Sequence, residues 1–407
     1  MTRRTLDVYW GGYLTGKLIQ DDGQLKFQYA ESWLQHPETK PISQSLPLQA
    51  AIFKNKQCRP FFAGILPEAD KRQRIAKYFG ISTQNDFAML EKMGGECAGA
   101  LTIVKTGEPP PAIPTSADYY PLSDEKLAGV FEALPARPLM AGEEGMRLSL
   151  AGVQDKIAVA LVDGKLCFPL HDAPSTHILK PAFHHFEAVA ENEAFCMELS
   201  ASIGLPAAKV QVRQLGKVHY LLVERYDRVH ADNGLLIRLH QEDFCQALGI
   251  VPEYKYQNEG GPTPTQAFSL LRECSTLPVI DIRNLLDAMI FNYLIGNNDA
   301  HGKNFSLLYT GQGARFAPLY DLVSTAVYPE LSPKMAMKVG STYDSNKVTP
   351  GEWDTLAEAC GLGAAMVRDR QKELADKVRE KVSLVTPKHP IIKDIIDIIQ
   401  RRAQSFK

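Results

Sequence analysis

Three oxygen-bearing side chains, Asp299, Asn304 and Asp321, fall within one short stretch that reads D-A-H-G-K-N, then an apolar hairpin pattern, then Y-D. In that order they supply what a Mg-ATP phosphotransfer site needs. A carboxylate (Asp299) accepts the proton of an attacking hydroxyl, and an amide (Asn304) and a second carboxylate (Asp321) hold the magnesium that neutralises phosphate charge. An Asp and an Asn five residues apart are weak evidence alone, because a polar turn that satisfies its own backbone uses the same residues. The setting decides the matter.

Upstream, Ile282, Leu285, Leu286, Met289, Ile290, Tyr293 and Leu294 recur at helical spacing and predict a helix over 281–296 with one buried stripe. Asp281 reads as its N-cap and Gly296 as its stop. Downstream, residues 305–309 and 314–319 flank Thr-Gly-Gln-Gly and predict a hairpin. Asp299 and Asn304 then sit on the loop between helix and hairpin, and Asp321 follows the second strand, so the hairpin can bring both metal ligands to one point. The D-x-x-x-x-N spacing is that of a protein-kinase catalytic loop.

The preceding segment supplies the parts that such a loop requires. From about residue 145 the pattern turns strand-rich: R-L-S-L leads into A-G-V-Q-D-K (151–156), and two apolar runs meet at Asp163-Gly164, a hairpin signal. A small-residue turn between strands can lay backbone N–H groups over phosphates, although no G-x-x-x-x-G-K-[ST] occurs. Lys180 ends the β-branched run T-H-I-L-K-P and suits a cation held over phosphates. A helix over 187–203 carries Glu191, Glu193 and Glu198, of which Glu193 is the favoured partner for Lys180. A hairpin over 210–223 runs into Glu224-Arg-Tyr-Asp-Arg228, where a hinge binds adenine through its backbone. Strands, lysine, helix, strands, hinge, helices, catalytic loop and metal carboxylate follow the order of a two-lobed kinase.

Composition sets the frame. The chain has 407 residues and a net charge of −2, so no global basic field argues for autonomous binding to nucleic acid. Seven cysteines without C-x-x-C pairs suit reduced, buried thiols of a cytoplasmic protein. No apolar run reaches membrane-spanning length, so the chain reads as soluble, cytoplasmic and without a membrane partner. Residues 1–107 read as a β-rich unit, with Trp10 and Trp33 as core or interface anchors. Residues 108–140, opening on Glu-Pro-Pro-Pro, read as a stiff linker. A nucleotide-binding lobe over 141–227 and a helical lobe over 228–407 complete the division. In the latter, Gln257 to Thr265 reads as a mobile loop.

With these residues in view, the chain resembles the HipA family of serine/threonine kinases, toxins of bacterial type II toxin–antitoxin pairs. The matching stretches are RLSLAGVQDK (147–156), THILKP (176–181), VERYDR (223–228), RLHQEDFCQ (238–246), KYQNEGGP (255–262), NDAHGKNFS (298–306) and PLYD (318–321), with SLPL, FFAGILPE and GGECAGAL in the N-terminal third. The resemblance implies an α+β, two-lobed, protein-kinase-like fold with an added β-rich N-terminal subdomain and a helical C-lobe. It implies Asp299 as catalytic base and Asn304 and Asp321 as Mg²⁺ ligands. Ala151, Gly152, Val153, Gln154, Asp155, Lys156 and Lys180 would engage the ATP phosphates. Glu224, Arg225 and Tyr226 would meet the adenine, and His301, Gly302, Lys303 and Tyr320 would lie beside the nucleotide. Ser149 would be an autophosphorylated serine that switches the enzyme off. Implied partners are a HipB-like helix-turn-helix antitoxin, operator DNA reached through that complex, and a protein substrate such as glutamyl-tRNA synthetase or another aminoacyl-tRNA synthetase.

Two segments depart from the pattern. No DFG-type glycine follows Asp321, and 341–349 matches poorly where relatives approach DNA, leaving Lys347 as a candidate contact. Asp299-x-His301-x-x-Asn304 also resembles the loop of phosphoinositide kinases, so a lipid or small-molecule acceptor is an alternative. A catalytically idle corepressor is another.

Overall fold

The computed structural model describes residues 3–143, 145–147, 149–152, 154–182, 186–232 and 235–406. They cluster into two compact units, Met1–Pro181 with Leu222–Pro252, and Ala182–Leu221 with Glu253–Lys407.

The first unit opens with β1 (Arg4–Trp10), β2 (Tyr13–Asp21) and β3 (Gln24–Tyr29), which β4 (Leu101–Lys105) completes as an antiparallel sheet of order β3-β2-β1-β4. Along β3, Leu25, Phe27 and Tyr29 are buried and alternate with more exposed polar residues, the period of a strand with one face on a core. Asp22 and Gly23, both at positive φ (49° and 77°), make the tight β2–β3 turn. Between β3 and β4 lie helices the strand pattern did not announce: the one-turn α1 (Glu31–Leu34), α2 (Asn55–Gly64), α3 (Ala69–Phe79) and α4 (Asp86–Met93). The sequence concealed α2 because Pro60 sits inside it and Gly64 ends it, two residues that normally argue against a helix.

The expected linker over 108–140 is only partly one. Residues 109–115 carry no regular structure. Then β5 (Tyr119–Pro121) pairs with the edge of a later strand, and α5 (Asp124–Ala133), capped by Ser123 Oγ on the Lys126 N–H, buries Leu127, Val130 and Phe131. Strands β6 (Ile157–Val162) and β7 (Lys165–Pro169) form the predicted hairpin, with Asp163 and Gly164 at φ 49° and 76°. β8 (His177–Pro181) runs antiparallel to β6.

The chain then enters the second unit through α6 (Val189–Ser202), β9 (Val210–Leu215) and the first half of β10 (Val218–Glu224). The last three residues of β10 belong to the first unit, where the strand order is β5-β7-β6-β8-β10. That unit closes with β11 (Arg228–His230) paired to β12 (Leu236–Arg238), then β13 (His240–Asp243) and the one-turn α7 (Phe244–Ala247).

The second unit resumes with α8 (Pro264–Cys274), α9 (Pro278–Ile295), the hairpin of β14 (Ser306–Thr310) and β15 (Gly313–Phe316), and β16 (Lys334–Val339) with β17 (Thr342–Asp344). It ends with α10 (Pro350–Ala359), α11 (Ala364–Ser383) and α12 (Pro390–Gln404). α9 is its core. It starts three residues earlier than expected, with Pro278 in the first turn, where its missing N–H costs nothing. Asp281 is therefore no cap. It is fully buried, accepts from Arg315 Nε and Nη2 at 2.9 Å each, and takes the Phe316 N–H at 2.9 Å. From Leu285 to Ile295 every side of the helix is buried, not one stripe, because α8, α11 and α12 all pack on it. In α12, Ile391, Ile392, Ile395, Ile396 and Ile399 form the predicted buried face.

The seven cysteines form no disulfide, and six are buried. Among the described residues, no helix is long and apolar enough to cross a membrane.

Candidate active site

α9 stops at Gly296, whose φ of 76° is the left-handed cap; a Cβ there would meet Ala326 Cβ at 2.8 Å. The next residues are fastened to the helix they leave. Asn297 Nδ2 donates to Asn292 Oδ1 at 2.7 Å, and Asn297 Oδ1 accepts the Asp299 N–H at 3.1 Å. Asp299 itself is exposed, and Tyr256 Oη donates to its Oδ1 at 2.8 Å. Tyr256 also sets its ring edge-on to His301 (centroids 5.3 Å apart), and the neighbouring Lys255 carbonyl accepts the Gly302 N–H at 3.2 Å. The loop therefore rests on the K-Y-Q-N segment. The start of the 257–265 loop is hydrogen-bonded: Gln257 Oε1 accepts from the Lys338 N–H at 2.9 Å, and the Gly261 N–H donates to the Tyr256 carbonyl at 2.9 Å.

Residues 302–304 form one 3-10 turn closed at both ends. The His301 N–H donates to Asn304 Oδ1 at 3.1 Å, and the Asn304 N–H donates to the His301 carbonyl at 2.9 Å. β14 and β15 then return the chain in register, Leu307 opposite Phe316 and Thr310 opposite Gly313. Tyr320 Oη donates to the Lys303 carbonyl at 2.6 Å and lies 2.7 Å from Ser306 Oγ, so the far end of the hairpin is pinned to the loop. As the spacing predicted, Asn304 and Asp321 meet: Asn304 Nδ2 donates to Asp321 Oδ2 at 3.1 Å. Asp321 reaches this place only by adopting φ +57°, a conformation that costs a residue with a Cβ.

An amide and a carboxylate held together suit a hard cation that takes oxygen ligands and keeps several waters or phosphates. Among the described residues no group of three or more His, Cys, Asp or Glu is placed to hold a metal ion, so a cation at this pair would take its remaining ligands from water or phosphate oxygens. The pair fits Mg²⁺.

The first unit holds the phosphate-turn and hinge candidates. Gly152 sits at φ 104°, and Lys156 Nζ folds back to donate to the Ala151 carbonyl at 2.8 Å. Gln154 is half-buried, and Val153 lies outside the described residues. Asp155 Oδ1 stands 3.4 Å from Lys71 Nζ, a lysine of α3 only 4% exposed. Burial and the Lys156 charge pull the Lys71 ammonium down to about 7, and Asp155 opposes them. Lys180 is the buried penultimate residue of β8, and Glu224 ends β10 exposed.

Arg225 does not point toward a ligand. It is buried, with Nε and Nη2 on the two Asp227 oxygens at 3.0 and 2.9 Å, so what it can offer an adenine is its carbonyl. Its N–H is already given to the Thr176 carbonyl at 2.9 Å. The Tyr226 hydroxyl is hydrogen-bonded to the Gln241 side chain. Ser149 is fully buried and outside any strand; its Oγ donates to the Ile65 carbonyl at 2.9 Å. In the second unit, Glu193 is buried on α6, Glu191 contacts His219, and the exposed Lys347 pairs with Asp344 at 3.4 Å.

Sequence reasoning missed Tyr256, Asn297 and Glu96. Tyr256 and Glu96 stood inside stretches that carried the resemblance, without a charge pattern to mark a role.

A HipA N-terminal domain model matches residues 6–104, and a HipA-like C-terminal domain model matches residues 148–383. "Putative kinase Y4mE" of Sinorhizobium fredii is 47% identical over 388 residues, covering 95% of this chain and 92% of that protein. Serine/threonine-protein kinase toxin HipA of Shewanella oneidensis is 28% identical over 395 residues, 94% of this chain and 89% of that one. The solved complex of Shewanella oneidensis HipA, HipB and operator DNA superposes with a TM-score of 0.85 at 26% identity, over 98% of this chain and 96% of that chain. The chain belongs to the HipA family of kinase toxins.

Proposed function

We propose that this chain is the serine/threonine protein kinase toxin of a type II toxin–antitoxin pair. The observation that carries the reading is the meeting of Asn304 and Asp321 at 3.1 Å, with Asp299 exposed on the same loop and oriented by Tyr256. Asp299 takes the proton of the acceptor serine as the hydroxyl attacks the γ-phosphoryl of ATP, the bond from the γ-phosphorus to the bridging oxygen breaks and ADP leaves. Asn304 Oδ1 and the Asp321 carboxylate would hold Mg²⁺, which would supply neutralisation of the phosphate charge. Residues 151–156 and Lys180 engage the phosphates, Glu224 and Tyr226 meet the adenine through the hinge, and His301 lies beside the nucleotide. The working division is 1–107, 108–140, 141–227 and 228–407.

The proposed substrate is a serine of an aminoacyl-tRNA synthetase, glutamyl-tRNA synthetase first. The proposed partner is a HipB-like antitoxin that carries the pair to operator DNA; the solved relative's complex supports it. Ser149 is the proposed autophosphorylation site. Its buried hydroxyl means that a phosphate, with about −1.5 to −2 charges, cannot be accommodated in place, so modification would hold 147–152 away from the phosphates. Induced expression should arrest growth, and purified protein with Mg-ATP should place phosphate on a synthetase serine. Arrest that persists undiminished in Asp299→Asn would instead support the corepressor reading.

A further inference from the structure

Glu96 lies in the glycine-rich turn between α4 and β4, and its main chain and side chain serve different segments of the first unit. The Glu96 N–H donates to the Arg147 carbonyl at 2.8 Å, and its carbonyl accepts the Ser149 N–H at 2.9 Å. That short ladder holds the stretch leading into 151–156. The carboxylate turns elsewhere. Oε1 accepts from the Ser175 N–H at 2.8 Å, from Ser175 Oγ at 2.7 Å and from Arg228 Nη2 at 2.7 Å, with Arg225 Nη1 at 3.4 Å.

Ser175 stands two residues before β8, the strand that carries Lys180. Arg225 and Arg228 flank Tyr226 and Asp227 in the hinge, and each also pairs with Asp227 at 2.9 Å. The four charged side chains are each 3% exposed or less, and two carboxylates on two guanidiniums leave the cluster neutral. Burial alone would raise the Glu96 carboxyl, but Arg225 and Arg228 hold it below its ordinary range. Removing one member of such a cluster strands the others as unpaired buried charge.

We propose that Glu96 is a positioning residue for nucleotide binding, joining the phosphate turn, the start of the lysine strand and the hinge into one register. The inference rests on the kinase reading above and deepens it. The N-terminal 105 or so residues then form a working part of the nucleotide site, because one of them closes its frame. Displacement of 147–149 is also felt at 224–228, since both lean on the same residue.

The test uses full-length Glu96→Gln, with calorimetric Mg-ATP affinity, steady-state kinetics and hydrogen exchange. With the fold intact by circular dichroism, the KM for ATP and the Kd should rise about tenfold or more while kcat at saturating ATP stays within about threefold. Exchange should quicken together at 147–152 and 224–228 and stay unchanged across β14 and β15. Wild-type affinity, or faster exchange at one segment alone, overturns the proposal. If Glu96→Gln does not fold, Ser175→Ala serves instead, since it removes one donor to the same oxygen; about threefold weaker ATP binding supports the proposal and unchanged binding overturns it. If wild type binds no Mg-ATP, the kinase reading is what fails, and the paired exchange response still decides whether Glu96 couples the two segments.

Discussion

Asp321 separates chemistry from stability in a way that substitution can read. Its φ of +57° lies where a Cβ crowds the following carbonyl, at roughly 1–2 kcal/mol for an ordinary residue. Asp321→Gly relieves that strain, costs roughly 0.4–1 kcal/mol through the more flexible unfolded chain, and loses the bond from Asn304 at about 1 kcal/mol. Asp321→Ala loses the same bond and keeps the strain. The glycine variant should therefore be within about 1 kcal/mol of wild type, and more stable than the alanine variant by roughly 1 kcal/mol. Both should lose phosphoryl transfer by at least ~10²-fold, the scale expected when charge stabilisation at the reacting phosphate is removed. Asp321→Asn, which tolerates the same backbone, should fold as wild type and be equally impaired. Urea denaturation followed by a phosphoryl-transfer assay on the same preparations reads both effects. An active Asp321→Gly variant, or a glycine variant less stable than the alanine one, would refute the reasoning.

Three other outcomes follow from the geometry. Tyr256→Phe removes one hydrogen bond from Asp299 while leaving the ring against His301, so kcat should fall about tenfold with little change in melting temperature; equal kcat would remove Tyr256 from the site. Burial pulls His240 down from 6.5 to about 4, so the fold keeps it neutral while the unfolded chain protonates. The His240 contribution to stability should be constant above pH 6.5 and fall by about 3 kcal/mol between pH 6.5 and 4, and His240→Gln should flatten that part of the slope in denaturation series. Asp281 is fully buried against Arg315, so Arg315→Ala should strand it and lower stability by about 3 kcal/mol, read from urea midpoints.

What the chain discloses before folding, and what it hides, divides along physical lines. The loop–hairpin–carboxylate order was legible because hairpin signals and helix stops are local, and they bring Asn304 near Asp321. The Asp163-Gly164 turn and the isoleucine face of α12 were legible for the same reason. α2 was hidden by Pro60, and Asp281 looked like a cap because nothing nearby in sequence signals Arg315, 34 residues away. The contact of Arg225 with Glu96, 129 residues upstream, has no local signal either. Tyr256 stood in a recognisable stretch, but only its contact with Asp299, 43 residues on, assigns it a task. Long-range polar pairing is the part that one sequence does not spell out.

The most direct test of the site is the intact mass of wild type and Asp299→Asn after incubation with Mg-ATP, followed by peptide mapping. Wild type should gain one phosphate, on Ser149, and Asp299→Asn should gain none. Equal phosphate on both proteins would contradict phosphoryl transfer by the Asp299 loop, and none on a wild type that demonstrably binds Mg-ATP would contradict self-modification at Ser149 and point to a strict external substrate or to the corepressor reading.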